Sequence, residues 1–138
     1  MERNKVLAGI AVAISLILLI LPRIIPICTG LAPGGSPMRC HYAYQAEFLV
    51  VLLAVVIAAS LFVVRTAEAR LFSGFVLLLL GIVIIVLPQP WAVGICFRGM
   101  ACEKTAFFTV AGGGLLILTG AAVTWFNYQK HWDGKDAE

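Results

Sequence analysis

Polar residues are so sparse in four long stretches of this chain that no water-facing surface can be drawn on them. Residues 6–21, 48–64, 71–87 and 106–126 are apolar but for scattered hydroxyl residues and one another's flanks carry the charges. A helix needs roughly 17–25 residues to cross a hydrocarbon core, and each stretch meets that length once its flanks are included. The pattern predicts four transmembrane helices, at about 6–22, 41–64, 71–87 and 105–127, within one domain spanning 1–138. Leu21-Pro22 closes the first and Leu87-Pro88 the third, because proline cannot donate the next helical hydrogen bond. The cationic start Arg3–Lys5 before an apolar run also suits a signal peptide. No small-x-small cleavage site follows it, so the run is expected to stay as the first helix.

Between the helices lie two loops and a turn. Ala32-Pro33-Gly34-Gly35-Ser36-Pro37 in the first loop has turn chemistry and no regular element. Arg65-Thr66-Ala67-Glu68-Ala69-Arg70 is short enough to be only a turn between the second and third helices. Small residues recur at spacings that let helix backbones approach in lipid: Gly9 and Ala13, Ala54 and Ala58, Gly74 and Gly81. Gly112-Gly113-Gly114 and Gly120 weaken the fourth helix by about 1 kcal/mol each in water, which points to contact with another backbone. Trp125, Tyr128 and Trp132 form an interfacial aromatic belt.

Composition agrees with a membrane and removes other classes. Apolar residues make up 62% and charged residues 12%, about half the charge that a soluble domain of this size carries. A net charge of +3 without a basic run excludes a nucleic-acid partner. The termini and the turn hold Arg3, Lys5, Arg65, Arg70, Lys130 and Lys135, against Arg23, Arg39, Arg98 and Lys104 in or beside the loops. That bias places both termini in the cytoplasm. The loops with Cys28, Cys40, Cys96 and Cys102 would then face an oxidising side, where disulfides persist. Four cysteines allow three connectivities, of which Cys28–Cys40 with Cys96–Cys102 repeats within each loop.

The two halves resemble each other. Each reads apolar helix, Leu-Pro, a loop with a first cysteine, Met-x-Cys, apolar helix. Met38 and Cys40 precede Met100 and Cys102 by one common offset. Both halves begin on the same side, so the expected architecture is all-α, two pseudo-repeated helical hairpins about an axis along the membrane normal. Their extracytoplasmic loops are expected to be pinned by disulfides.

Leu21-Pro22, Cys28, Met38-Arg39-Cys40-His41-Tyr42 and Gln45-Ala46-Glu47, with Gly94-Ile95-Cys96 and Met100-Ala101-Cys102, resemble a bacterial and archaeal membrane family catalogued as domain of unknown function 4418. Members carry Met-Lys-Cys-His-Trp followed by Ala-Glu at this point. Here Arg39 replaces the lysine, Tyr42 the tryptophan, and Tyr44 a small residue. The resemblance implies four transmembrane helices and two extracytoplasmic disulfide-bearing loops in a bacterial or archaeal cytoplasmic membrane. It implies no activity, and allows a role beside permease-type transporter subunits.

Chemistry-bearing residues gather at the mouth of the second helix: Arg39, His41, Tyr44, Gln45 and Glu47. On a helix begun at Cys40, Tyr44 and Glu47 share one face with Cys40, and His41 and Gln45 lie on the next. Glu47 falls near the hydrocarbon boundary, where a carboxylate must be paired, protonated or turned into the protein. Tyr44, His41, Arg39 or the helix mouths of the other half could supply its partner. The functional reading is a proton or cation site or a polar latch to a partner helix. The structural reading is an interfacial glutamate that orients the loop.

Enzyme signatures are few. Disulfide-generating membrane oxidoreductases share the layout of four helices with two outer cysteine pairs, but depend on Cys-x-x-Cys, which this chain lacks. Met38, Cys40, His41, Met100 and Cys102 are ligand types that suit monovalent copper, at a spacing of little specificity. No Ser/His/Asp set, phosphate loop or His-Glu-x-x-His is present. The preferred reading is a non-catalytic accessory or scaffold subunit without cofactor or metal. It would bind lipid and another integral membrane protein, such as an ABC-type transporter permease, or a second copy. The alternatives are a quinone-linked thiol–disulfide oxidoreductase and a small transporter or metal-binding protein using His41 and Glu47.

Overall fold

A computed structural model describes residues 2–25, 34–36, 39–92 and 101–135, with the side chains of 39, 40, 101, 102 and 135 excepted. Four helices make up nearly all of it: α1 Glu2–Ile24, α2 Arg39–Val63, α3 Ala67–Val86 and α4 Ala101–Lys135. No strand occurs among the described residues. All four helices are long and apolar enough to cross a membrane. Four such helices are consistent with a multi-pass membrane protein.

Every helix begins before its apolar run does, because backbone hydrogen bonding continues through polar residues at a membrane boundary. α1 starts at Glu2, an acidic residue in the first turn, where the helix dipole favours negative charge. Pro22 lies inside α1 and does not end it. Proline removes one bond only, and the Ile25 N–H still donates to the Leu21 carbonyl at 3.1 Å, so the helix runs on to Ile24, past the proline expected to close it. In α3 the Leu87 N–H still reaches the Val83 carbonyl at 3.0 Å, and Pro88 follows. α4 has 35 residues, about 52 Å at the usual rise, and therefore outruns a hydrocarbon core of roughly 30 Å.

Each helix packs most on its neighbours in chain order, and α4 closes back on α1. The helices form a ring in which α1 stands diagonal to α3, and α2 to α4. Two connections meet at one end, here the loop end, and the turn after α2 lies at the other, the linker end. At that turn Arg70 Nε donates to the Val64 carbonyl at 2.9 Å, so the cation caps the turn.

The α3–α4 seam is the most extensive, and glycine is the reason. A Cβ placed on Gly120 would stand 2.8 Å from the Gly74 carbonyl oxygen and 2.8 Å from the Leu78 nitrogen. One placed on Gly113 would stand 3.0 Å from the Gly81 carbonyl oxygen. Backbone therefore touches backbone along two successive contacts, the arrangement small residues permit in lipid. The glycine triplet works in three directions. A Cβ on Gly113 would meet α3 and one on Gly112 the Leu18 side chain of α1, while one on Gly114 would meet nothing within 4 Å.

Ala8, Ala11, Ala54 and Ala58 join Leu61, Leu77 and Val123 in the core toward the linker end. Leu18, Val51, Ile84 and Leu116 form the next layer. Gly9 and Ala13, which share the same four-residue spacing, take no part: a Cβ on half-buried Gly9 would meet nothing within 4 Å, and Ala13 is exposed.

The buried positions keep one register in both hairpins. Ala8, Ala11, Ser15 and Leu18 of α1 precede Gly74, Leu77, Gly81 and Ile84 of α3 by a constant interval, which also separates Pro22 from Pro88. Ala43, Tyr44, Glu47, Val51, Ala54, Ala58 and Leu61 of α2 are matched by Thr105, Ala106, Thr109, Gly113, Leu116, Gly120 and Val123 of α4. The interval there is 62 residues, the one that separates Met38 from Met100.

Candidate functional site

Hydroxyl residues buried in a lipid-embedded helix have an easy partner, the carbonyl one turn back. Ser15 donates to Ala11 at 2.8 Å, Ser73 to Ala69 at 2.8 Å, Thr119 to Leu115 at 2.7 Å and Thr124 to Gly120 at 2.9 Å. Ser60 does the same to Ile57 at 2.7 Å. Two threonines near the loop end of α4 do not. Thr109 Oγ1 donates across the bundle to Glu47 Oε1 at 3.0 Å, and Thr105 Oγ1 is buried without a hydrogen-bond partner.

Glu47 itself is 3% exposed. It stands eight residues into α2, about 12 Å along the axis from Arg39. Its bond to Thr109 joins α2 to α4, the two helices that face each other across the ring, so it lies at the bundle's centre. Tyr44 is buried one turn nearer the loop end on α2, and Thr105 is buried one turn nearer that end on α4. Since α2 and α4 both start at the loop end, these four side chains form two successive polar layers on the axis. No cation pairs with Glu47 among the described residues.

The sequence-predicted polar cluster is divided by this geometry. Tyr44 and Glu47 turn inward, while His41 and Gln45 are exposed on the outer side of α2. His41 instead stacks edge-on against exposed Tyr42, ring centroids 5.9 Å apart. The side chain of Arg39 lies outside the described residues. So do Met38, Met100, Cys28 and Cys96 entirely, and the side chains of Cys40 and Cys102, and with them the expected disulfides and the soft-metal set. Among the described residues no group of three or more His, Cys, Asp or Glu is arranged to hold a metal.

Thr105 and Thr109 are the residues that sequence reasoning missed. A usable signal was present. The Met38–Met100 interval carried nine residues further lands on Glu47 and Thr109, and the first buried turn of the same register gives Ala43 and Thr105.

At the linker end the chemistry is of a different kind. Asn127 is buried and donates Nδ2–H to the Val123 carbonyl at 2.7 Å. Arg3 lies over the Phe126 ring at 4.4 Å, and His131 Nε2 stands 3.7 Å from Glu68 Oε1 on an exposed carboxylate. Trp125, Tyr128 and Trp132 are exposed on one face of α4, Tyr128 and Trp132 edge-on at 6.1 Å. These contacts anchor the helix ends at the membrane boundary, the usual place for amphipathic rings.

The family model described as Domain of unknown function (DUF4418) matches residues 10–126, and the chain belongs to that family. No curated protein and no solved structure matches it.

Proposed function

We propose that this DUF4418 protein is a non-catalytic scaffold or accessory subunit that docks in the membrane against another integral membrane protein, of the kind of an ABC-type transporter permease. One observation carries the reading. The bundle spends most of its small residues internally, at Gly74, Gly81, Gly112, Gly113, Gly120, Ala54 and Ala58, but on α1 Ala13 is exposed and half-buried Gly9 has open space where a Cβ would stand. α1 is also the helix with the smallest buried share. In lipid, where apolar side chains gain little by leaving acyl chains, close backbone approach at small residues is a main source of helix association. An uncovered small-residue face on the least engaged helix is where a partner helix fits.

The same reading keeps both termini cytoplasmic, sets the four cysteines in two pinned outer loops, and takes the common burial register of the hairpins as a duplication. The test is purification of the full chain from native membranes in mild detergent. A larger membrane protein is expected to accompany it, and to be lost when Gly9 and Ala13 are both changed to Leu while the chain's own melting temperature holds. A chain that purifies alone from native membranes, or a partner retained by the double variant, would remove the accessory role at this face.

A further inference from the structure

We propose that Glu47, Thr105, Thr109 and Tyr44 form a dehydrated, all-oxygen binding site for a monovalent alkali cation on the axis of the bundle. Three observations meet there. The Glu47 carboxyl group is 3% exposed, with one described donor and no described cation beside it. The Thr105 hydroxyl is fully buried with no partner. And among the described buried serines and threonines, only these two do not bond the carbonyl one turn back in their own helix.

A carboxylate at this depth is costly unless it is neutralised. One cation of single charge cancels it and leaves the site neutral, whereas a divalent ion would leave a net positive charge in hydrocarbon. Hard cations take oxygen ligands, and every polar atom here is a carboxyl or hydroxyl oxygen. Among the described residues the loop-end cations do not substitute for such an ion: Arg23 and Lys104 are both exposed.

Loading the site needs no rearrangement of backbone. The Thr109 proton that now points to Glu47 turns to the Thr105 carbonyl, one turn back, as Ser15, Ser73, Thr119 and Thr124 already arrange theirs. The Thr105 proton turns likewise to the Ala101 carbonyl. Both oxygens then have lone pairs free for an ion, Thr109 beside Oε1 of Glu47 and Thr105 one turn nearer the loop end. Tyr44, one turn nearer the loop end, closes the site on that side. The site lies between the hairpins, since Glu47 belongs to the first and both threonines to the second, so a bound ion ties the two together.

Thermal unfolding of the purified full chain in detergent, followed through its three tryptophans, tests this in sodium, potassium and choline chloride at equal ionic strength. The melting temperature is expected to rise by a few degrees, with saturation, as sodium or potassium replaces choline. The rise is expected to vanish in Glu47→Gln and to weaken in Thr105→Val, and to persist in Thr119→Val. Equal melting in all three salts would overturn the proposal. So would a rise that survives in Thr105→Val at full size, a reading available even where Glu47→Gln does not fold. A midpoint that follows pH through Glu47 and ignores the cation would overturn it in favour of a protonated carboxyl group.

Discussion

The first hairpin buries Ala8, Ala11, Ser15 and Leu18 on α1 and Glu47, Val51, Ala54 and Ala58 on α2. At the corresponding positions the second hairpin buries Gly74, Leu77, Gly81 and Ile84, then Thr109, Gly113, Leu116 and Gly120. Where the second hairpin has glycine, the first has alanine, serine or valine. Its helices consequently meet through side chains, while α3 and α4 meet through backbone. The one buried carboxyl group among the described residues sits in the looser hairpin, and its described donor comes from the tighter one. One register thus supports a rigid half that supplies hydroxyls and a less constrained half that carries the charge.

The largest effect should come from breaking the backbone seam. At Gly120 every near neighbour of an added Cβ is backbone, the Gly74 oxygen and the Leu78 nitrogen each at 2.8 Å, so no rotamer change makes room. Gly120→Ala is expected to push α4 off α3 at a cost at or above the roughly 1–3 kcal/mol typical of overpacking, read as a sharp fall in melting temperature and in folded yield. The equivalent position in the first hairpin already carries Ala58. Unchanged melting of Gly120→Ala would mean that the two hairpins are equally loose.

Much of this comparison was legible in the chain beforehand, and the reasons are physical. Four helices follow from hydropathy, because a lipid-facing helix has to be apolar along its whole length. The glycines of α3 and α4 announced a close contact, since glycine in a helix interior needs a reason. But hydropathy cannot rank the faces of a helix whose inside and outside are both apolar, and that is why Gly9 and Ala13 looked equivalent to Ala54 and Ala58 and are not. The same limit hid Thr105 and Thr109. Threonines occur singly along α4, and nothing in their spacing says which ones bond their own helix and which reach across. Helices outrun their predicted ends for a related reason: Glu2, Arg39 and Lys135 are polar, but their backbone groups still belong to helices.

A smaller effect separates the threonines themselves. Thr109→Val keeps the shape and removes the donor to Glu47, leaving a buried carboxyl group without its described partner. Hydrogen bonds between membrane helices average about 0.6 kcal/mol and reach roughly 1.7 kcal/mol, and an unsatisfied buried acceptor raises the loss toward about 1–3 kcal/mol. Thr119→Val, on the same helix, gives up only a bond to the Leu115 carbonyl that the backbone already satisfies, and is expected to be close to neutral. Unfolding in mixed detergent micelles reads both variants on one scale. If Thr119→Val cost as much as Thr109→Val, the bond across the bundle would be worth no more than a local one, and the link between the hairpins would disappear with it.

The smallest effect tests the outward side of the same glycine triplet. Gly113 is locked against Gly81, but a Cβ on Gly114 meets nothing within 4 Å. Gly114→Ala therefore gains helix propensity without a clash, a benefit of less than the ~1 kcal/mol seen in water because no backbone is hydrated in lipid. A slight rise in melting temperature is expected for Gly114→Ala, and a clear fall for Gly113→Ala one residue earlier, where the Gly81 carbonyl oxygen stands 3.0 Å from the added carbon. Opposite signs at adjacent residues would show that the second hairpin owes its rigidity to the direction in which each glycine faces. A fall at both positions would mean that Gly114 is covered in the membrane, by lipid packing or by a second protein, and would extend the docking surface from α1 to α4.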